Sequence, residues 1–118
     1  MSEQMPTNEK NPNDLIKELD RVLNFGTPED LFALFDNGMD INQTDFEGRT
    51  ALQMMTVKGK KEVVEELILR GADVNHLMMY QGRIPLTPLD AAIQTKKTEI
   101  VDLLRSNGAK LGKDLHQA

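Results

Sequence analysis

The sequence contains no cysteine and no tryptophan, and aromatic residues make up 4% of it. Without cysteine there is no disulfide framework, no thiol nucleophile and no thiolate ligand for zinc. With so few rings the core must be aliphatic and methionine-based, which favours packed helices over a sheet sandwich. Positive charge is also short: 14 Lys and Arg stand against 19 Asp and Glu, a formal net charge of −5. Neutralising a phosphate backbone needs the opposite balance, so nucleic acid is not an expected partner. No run of about 18 apolar residues occurs, and the polar stretch Met1 to Pro12 lacks the apolar segment of a secretion signal. These absences predict a cytoplasmic chain with no membrane partner.

Histidine is scarce too. His76 and His116 stand alone, and neither a serine-centred nucleophile motif nor a glycine-rich phosphate loop is present. Asp40 and Asp73 are too far apart to supply a loop of closely spaced oxygen ligands for a cation; each is expected to make turn hydrogen bonds at the start of a loop. The sequence therefore predicts no enzyme, no metal and no cofactor.

What is present is a repeat. Asn37-Gly38-Met39-Asp40-Ile41-Asn42 recurs as Arg70-Gly71-Ala72-Asp73-Val74-Asn75, a shift of 33 residues (71 − 38), and again as Asn107-Gly108-Ala109-Lys110-Leu111, a shift of 37 (108 − 71). Glu29, Glu62 and Glu99 keep register, as do Leu31, Val64 and Val101, and then Leu34, Leu67 and Leu104. Upstream, Thr50-Ala51-Leu52-Gln53 matches Thr87-Pro88-Leu89-Asp90, so the four extra residues of the third unit fall between Asn75 and Thr87. Each unit predicts two short helices. Thr50 with Gln53 forms a capping box, and Thr87 caps a helix with Pro88 at its first position and Asp90 in its first turn. Gly59 breaks the first helix of the middle unit, and Gly38, Gly71 and Gly108 stop the second helices, where a left-handed residue closes a helix at low cost. Val63, Val64, Leu67 and Ile68 make one apolar stripe while Glu62, Glu65 and Glu66 stay outside it.

Gly48-Arg49-Thr50-Ala51-Leu52, Gly71-Ala72-Asp73-Val74-Asn75 and Thr87-Pro88-Leu89-Asp90-Ala91-Ala92 resemble ankyrin repeats. The resemblance implies an all-α solenoid of three helix-turn-helix units with a β-hairpin-like finger at each boundary. It places the repeats at about 13–44, 45–77 and 78–113, between a flexible N-terminal tail at 1–12 and a C-terminal tail at 114–118. The first unit departs from the pattern: Lys17-Glu18-Leu19 keeps only the leucine, and Asp30 replaces the apolar residue of Val63 and Ile100. At the far end Arg105 replaces Ile68 and Lys110 replaces Asp73, polar exchanges that suit terminal repeats left uncovered on one side. Met54 and Met55 align with Ala91 and Ala92, positions the resemblance turns toward neighbouring helices, and are expected to fill the core.

An ankyrin-like solenoid implies a protein-interaction module, an adaptor, inhibitor or immunity-type binder acting through its fingers and concave face. The expected partner is another protein, and the chain itself is expected to be monomeric. The stretch His76 to Leu86 is unusually apolar for a loop, and exposed apolar groups mark binding surfaces. It either folds back onto the third repeat or projects. The candidate partner-binding residues are Asp45, Phe46 and Glu47 in one finger and His76, Met78, Met79, Tyr80, Arg83 and Ile84 in the next. Phe46, Met79 and Tyr80 would anchor, and Asp45, Glu47 and Arg83 would orient. His76 has a plainer alternative as a turn-bonding imidazole. Lys58, Lys60, Lys61, Lys96 and Lys97 fall along one edge, which an acidic partner could use, although a solvated charged face is the default reading. Two further resemblances bear on function: Phe46 to Gln53 is similar to a stretch of ankyrin-type cyclin-dependent kinase inhibitors, and Gly108 to Leu115 to the closing segment of small bacterial ankyrin proteins. The alternatives to a binder of a different protein are a self-associating structural element and a kinase inhibitor.

Overall fold

Thr27, Thr50 and Thr87 each end an extended segment, and each side chain accepts from a backbone N–H three residues on, while Asp30, Gln53 and Asp90 reach back to the threonine N–H. These reciprocal caps start three of the helices in the computed structural model, which describes residues 11–116. The helices come in pairs: α1 (Pro12–Phe25) with α2 (Pro28–Asp36), α3 (Ala51–Val57) with α4 (Lys61–Leu69), and α5 (Pro88–Gln94) with α6 (Thr98–Ser106). A two-stranded antiparallel hairpin, β1 (Met78–Tyr80) and β2 (Ile84–Leu86), precedes the third pair, and α7 (Gly112–His116) follows it. The helical repeat expected from the sequence is present. Of the two fingers, the one in the lengthened segment is a true hairpin, while the one around Asp45 to Arg49 is a turn without strands.

The second helices end as their glycines require. Gly38, Gly71 and Gly108 have φ of +108°, +94° and +86°, and in each case the following N–H bonds back into the last helical turn, to Leu34, Leu67 and Leu104. Only a residue without Cβ adopts this conformation cheaply. The repeat also stitches itself polar group to polar group. Asn42 Oδ1 accepts from Asp73 N at 2.8 Å, and Asn75 Oδ1 accepts from Lys110 N at 2.8 Å, one unit further on. Asp40 and Asp73 accept from the N–H two residues ahead, the turn role expected of them.

The core runs through the stack. Leu19, Leu52 and Leu89 are fully buried at one phase of the repeat, with Leu31, Val64, Leu67, Ile100 and Leu104 behind them. Each such side chain stabilises by about 1.5–3 kcal/mol through burial. Met54 and Met55 are buried as expected. Leu34 is only half-buried, packed against the edge of the core.

Both chain ends differ in detail from the sequence expectation. α1 has 14 residues, against 7 in α3 and in α5, and its cap is Asn11, which accepts from Asp14 N. Lys17 and Glu18 therefore lie inside a helix instead of at its start, which is why the threonine-proline pair is dispensable there. Residues 1–10 of the expected N-terminal tail lie outside the described residues. At the other end, 114–116 of the expected C-terminal tail belong to α7. Asp90 Oδ2 accepts from Gly112 N at 2.7 Å, and Thr87 Oγ1 donates to Lys110 O at 2.7 Å, so the start of α5 also anchors the start of α7. A Cβ on Gly112 would run into the Pro85 carbonyl, so glycine lets α7 close on β2.

Candidate functional site

The first finger is organised by one carboxylate. Asp45 Oδ1 accepts from Glu47 N and Arg49 N, each at 2.9 Å, and Oδ2 accepts from Arg49 Nε at 2.8 Å. The turn closes with Asp45 N donating to Arg49 O and Gly48 N to Asp45 O. Asp45 is 4% exposed. This corrects the expectation that it presents an orienting charge: its oxygens are used inside the turn. The same arrangement pushes its neighbours outward, leaving Phe46 58% exposed at the tip and Glu47 beside it.

His76 joins this turn to the next finger, with its Nε2 3.1 Å from Gly48 O. It fills the turn-bonding role that was the plainer of its two readings. Beyond it the hairpin pairs Met78 with Leu86, Met79 with Pro85 and Tyr80 with Ile84. The chain reverses at Gln81 and Gly82, both with positive φ (53° and 74°), and Arg83 N donates to Tyr80 O at 3.1 Å. Strand periodicity puts Met78, Tyr80, Ile84 and Leu86 on one face. At the base, Met78 and Leu86 are half-buried, and β2 rests on α5 and α7. At the tip, Tyr80 and Ile84 are 45% and 50% exposed, and Met79 on the other face is 38% exposed. Both readings of the loop hold for different residues: the base is folded back and the tip projects. Arg83 is exposed at the turn.

Gln53 and Asp90 are occupied as helix caps, while Val57 and Gln94, both exposed, are neither acid nor base. An open groove of about 440 Å³ between α2 and α4 is lined by Pro28, Glu29, Phe32, Asp36, Glu62 and Val63. Arg70 closes its rim, 4.5 Å from the Phe32 ring centroid and 2.9 Å from both Asp36 and Glu66. Hydrogen bonds to Glu66 and then Asp36 raise the Arg70 pKa, which keeps it charged at every accessible pH. None of these side chains is a nucleophile with its base. Among the described residues no group of three or more His, Asp and Glu is placed to hold a metal ion, and no helix is long and apolar enough to cross a membrane.

Sequence reasoning anticipated a hairpin-like finger but not its strand bounds, and it missed α7 and the inward turn of Asp45. The Gln81-Gly82 pair between two apolar runs was the available hairpin signal, since a tight reversal needs positive φ.

Paired helices stacked through a shared aliphatic core, with fingers projecting from one edge, define a helical repeat solenoid. Residues 20–114 match the family model for ankyrin repeats in three copies, and the chain belongs to the ankyrin-repeat family. It is similar to Serine/threonine-protein kinase 12 of Arabidopsis thaliana, 37% identical over 89 residues that cover 75% of this chain and 18% of that kinase. It is also similar to B-cell lymphoma 3 protein homolog of Mus musculus, 31% identical over 94 residues, covering 76% of this chain and 20% of that protein. The chain spans about one fifth of the length of these curated relatives.

Proposed function

We propose that the chain is a cytoplasmic protein-binding module whose contact surface is the hairpin tip together with the first finger, with Tyr80, Ile84, Met79 and Phe46 as anchors and Glu47 and Arg83 as rim charges. The observation that carries this reading is the cross-strand pair Tyr80–Ile84. Two large apolar side chains face each other in the open, although the repeat pattern demands neither and its Leu19, Leu52 and Leu89 row is buried. Binding energy concentrates in a few large side chains, Tyr prominent among them, while rim charges set orientation and rate. Asp45 and His76 contribute indirectly, by fixing the turn that presents Phe46 and by tying it to the base of the hairpin.

The likeness of Phe46 to Gln53 to kinase inhibitors carries little weight for this reading. Arg49, Thr50 and Gln53 are occupied in the turn and the α3 cap and Ala51 and Leu52 are buried, so most of that stretch is accounted for by the fold. Self-association is the second reading, favoured by the short exposed hairpin, whose outer edge offers unpaired backbone groups to another copy.

The test is a paired measurement on Tyr80→Ala, Met79→Ala and Phe46→Ala against a partner captured from the source organism. Calorimetry should show a loss of about 1–2 kcal/mol or more for Tyr80→Ala, with an unchanged thermal melt. Full-strength binding by all three variants overturns the finger surface. Light scattering over a concentration series distinguishes self-association: a mass that rises with concentration for the wild type and not for Tyr80→Ala favours the second reading.

A further inference from the structure

On the opposite side of the unit from the helix-stop glycines, two interhelical turns carry lysine and no acid: Lys58-Gly59-Lys60, followed by Lys61 at the start of α4, and Thr95-Lys96-Lys97. The turns touch. The Lys97 side chain lies over Gly59, where a Cβ would meet its Cε at 3.2 Å, and Lys61 Nζ reaches Glu99 Oε1 at 3.6 Å. Between them is an open groove of about 200 Å³ lined by Gly59, Lys61, Lys97, Thr98, Glu99 and Ile100. Five lysines thus meet two adjacent acids, Glu62 and Glu99, and Glu99 is already paired with Lys61. Among the described residues no carboxylate lies within ion-pair distance of Lys58, Lys60, Lys96 or Lys97. In a chain of net charge −5 this is a segregated positive edge.

Three of these lysines stand where local physics disfavours lysine. Lys60 and Lys97 occupy the cap positions of α4 and α6 and make no side-chain capping bond, whereas Asn or Thr caps α1, α2, α3 and α5. A cation there also opposes the positive end of the helix dipole. Lys96 has φ of +60° at the position that Gly59, with φ of +74°, fills in the middle unit. A residue with a Cβ is strained in that conformation, and glycine is not. A merely solvated face would be served as well by Thr, Gly and Thr.

We propose that this lysine edge is a second interaction surface, and that its ligand is a short acidic peptide segment rich in Asp and Glu. The cations are all lysine, so each supplies a compact point charge, and the bidentate guanidinium fork suited to phosphate is missing from the edge. A row of separate carboxylates matches four unpaired ammonium groups on two adjacent turns. A long polyanion such as nucleic acid would extend past the edge onto an acidic molecule and be repelled.

Fluorescence anisotropy of a labelled ten-residue Asp/Glu peptide with the full chain tests this at low and at physiological ionic strength. The expected result is salt-sensitive binding that weakens about threefold for each of Lys60→Thr, Lys96→Gly and Lys97→Thr and about tenfold or more for the three together. Lys113→Gln, an exposed lysine on α7, should leave it unchanged. The same three substitutions should raise the melting temperature, since each removes a local penalty. Raised stability with unchanged peptide binding overturns the proposal, as does equal loss on Lys113→Gln, which would mean attraction to overall charge. Binding of a single-stranded oligonucleotide of equal charge as tightly as the peptide also overturns it.

Discussion

A side chain's role is set by what closes over it, and Asp45 shows how far that can depart from its place in the sequence. Beside Phe46 in a polar loop it resembles a surface acid, yet its two oxygens hold two backbone N–H groups and one guanidinium. Asp45→Ala should cost about 1–3 kcal/mol by leaving those donors without a partner, and urea denaturation should record the loss. Roles decided by nearest neighbours were legible in advance: the threonine caps, the positive-φ glycines and the Asx turns at Asp40 and Asp73 follow from local chemistry alone. Buried rows were legible too, because the repeat gives the register three times. Leu67, with no exposed surface, is the central member of one. Leu67→Ala should therefore destabilise by about 2–5 kcal/mol, read in the same titration, and a change near zero would show that the register is wrong.

Among the elements, α7 was the least visible from the sequence. Five residues give no periodicity to detect, and the helix exists because Asp90 receives the Gly112 N–H and because β2 offers it a surface. Those are long-range conditions, set by a residue 22 positions earlier. Gly112→Ala should lift α7 from β2, since the added carbon collides with the Pro85 carbonyl. Hydrogen exchange should then speed up in 84–86 and 112–116 while α3 and α4 keep their protection. Unchanged exchange in β2 would mean that α7 does not support the hairpin. The hairpin was half legible: its apolar composition marked it as unusual, but which residues turned inward depended on α5 and α7 being there to receive β2.

At the scale of the whole molecule, the two helices of each unit pack on each other and the units stack, with α3 on α5 and α4 on α6. Three units are about the least that such a stack can hold together, so the chain should unfold as one cooperative transition by circular dichroism, with thermal and chemical probes coinciding. Two separated transitions would show that a terminal unit folds on its own. The stack explains every buried leucine of the repeat and leaves Phe46, Met79, Tyr80 and Ile84 outside that explanation. The division of labour between core and finger tips is tested most directly with the Phe46→Ala/Met79→Ala/Tyr80→Ala triple variant, measured for melting temperature and, by quantitative affinity capture from the source organism, for retained partners. The expected result is a melt within about 6 °C of the wild type, since three surface substitutions of about 0.5 kcal/mol each shift the midpoint by about 4 °C per kcal/mol at most additively, together with loss of the proteins that the wild type retains. A variant that keeps those proteins, or that unfolds, would contradict it.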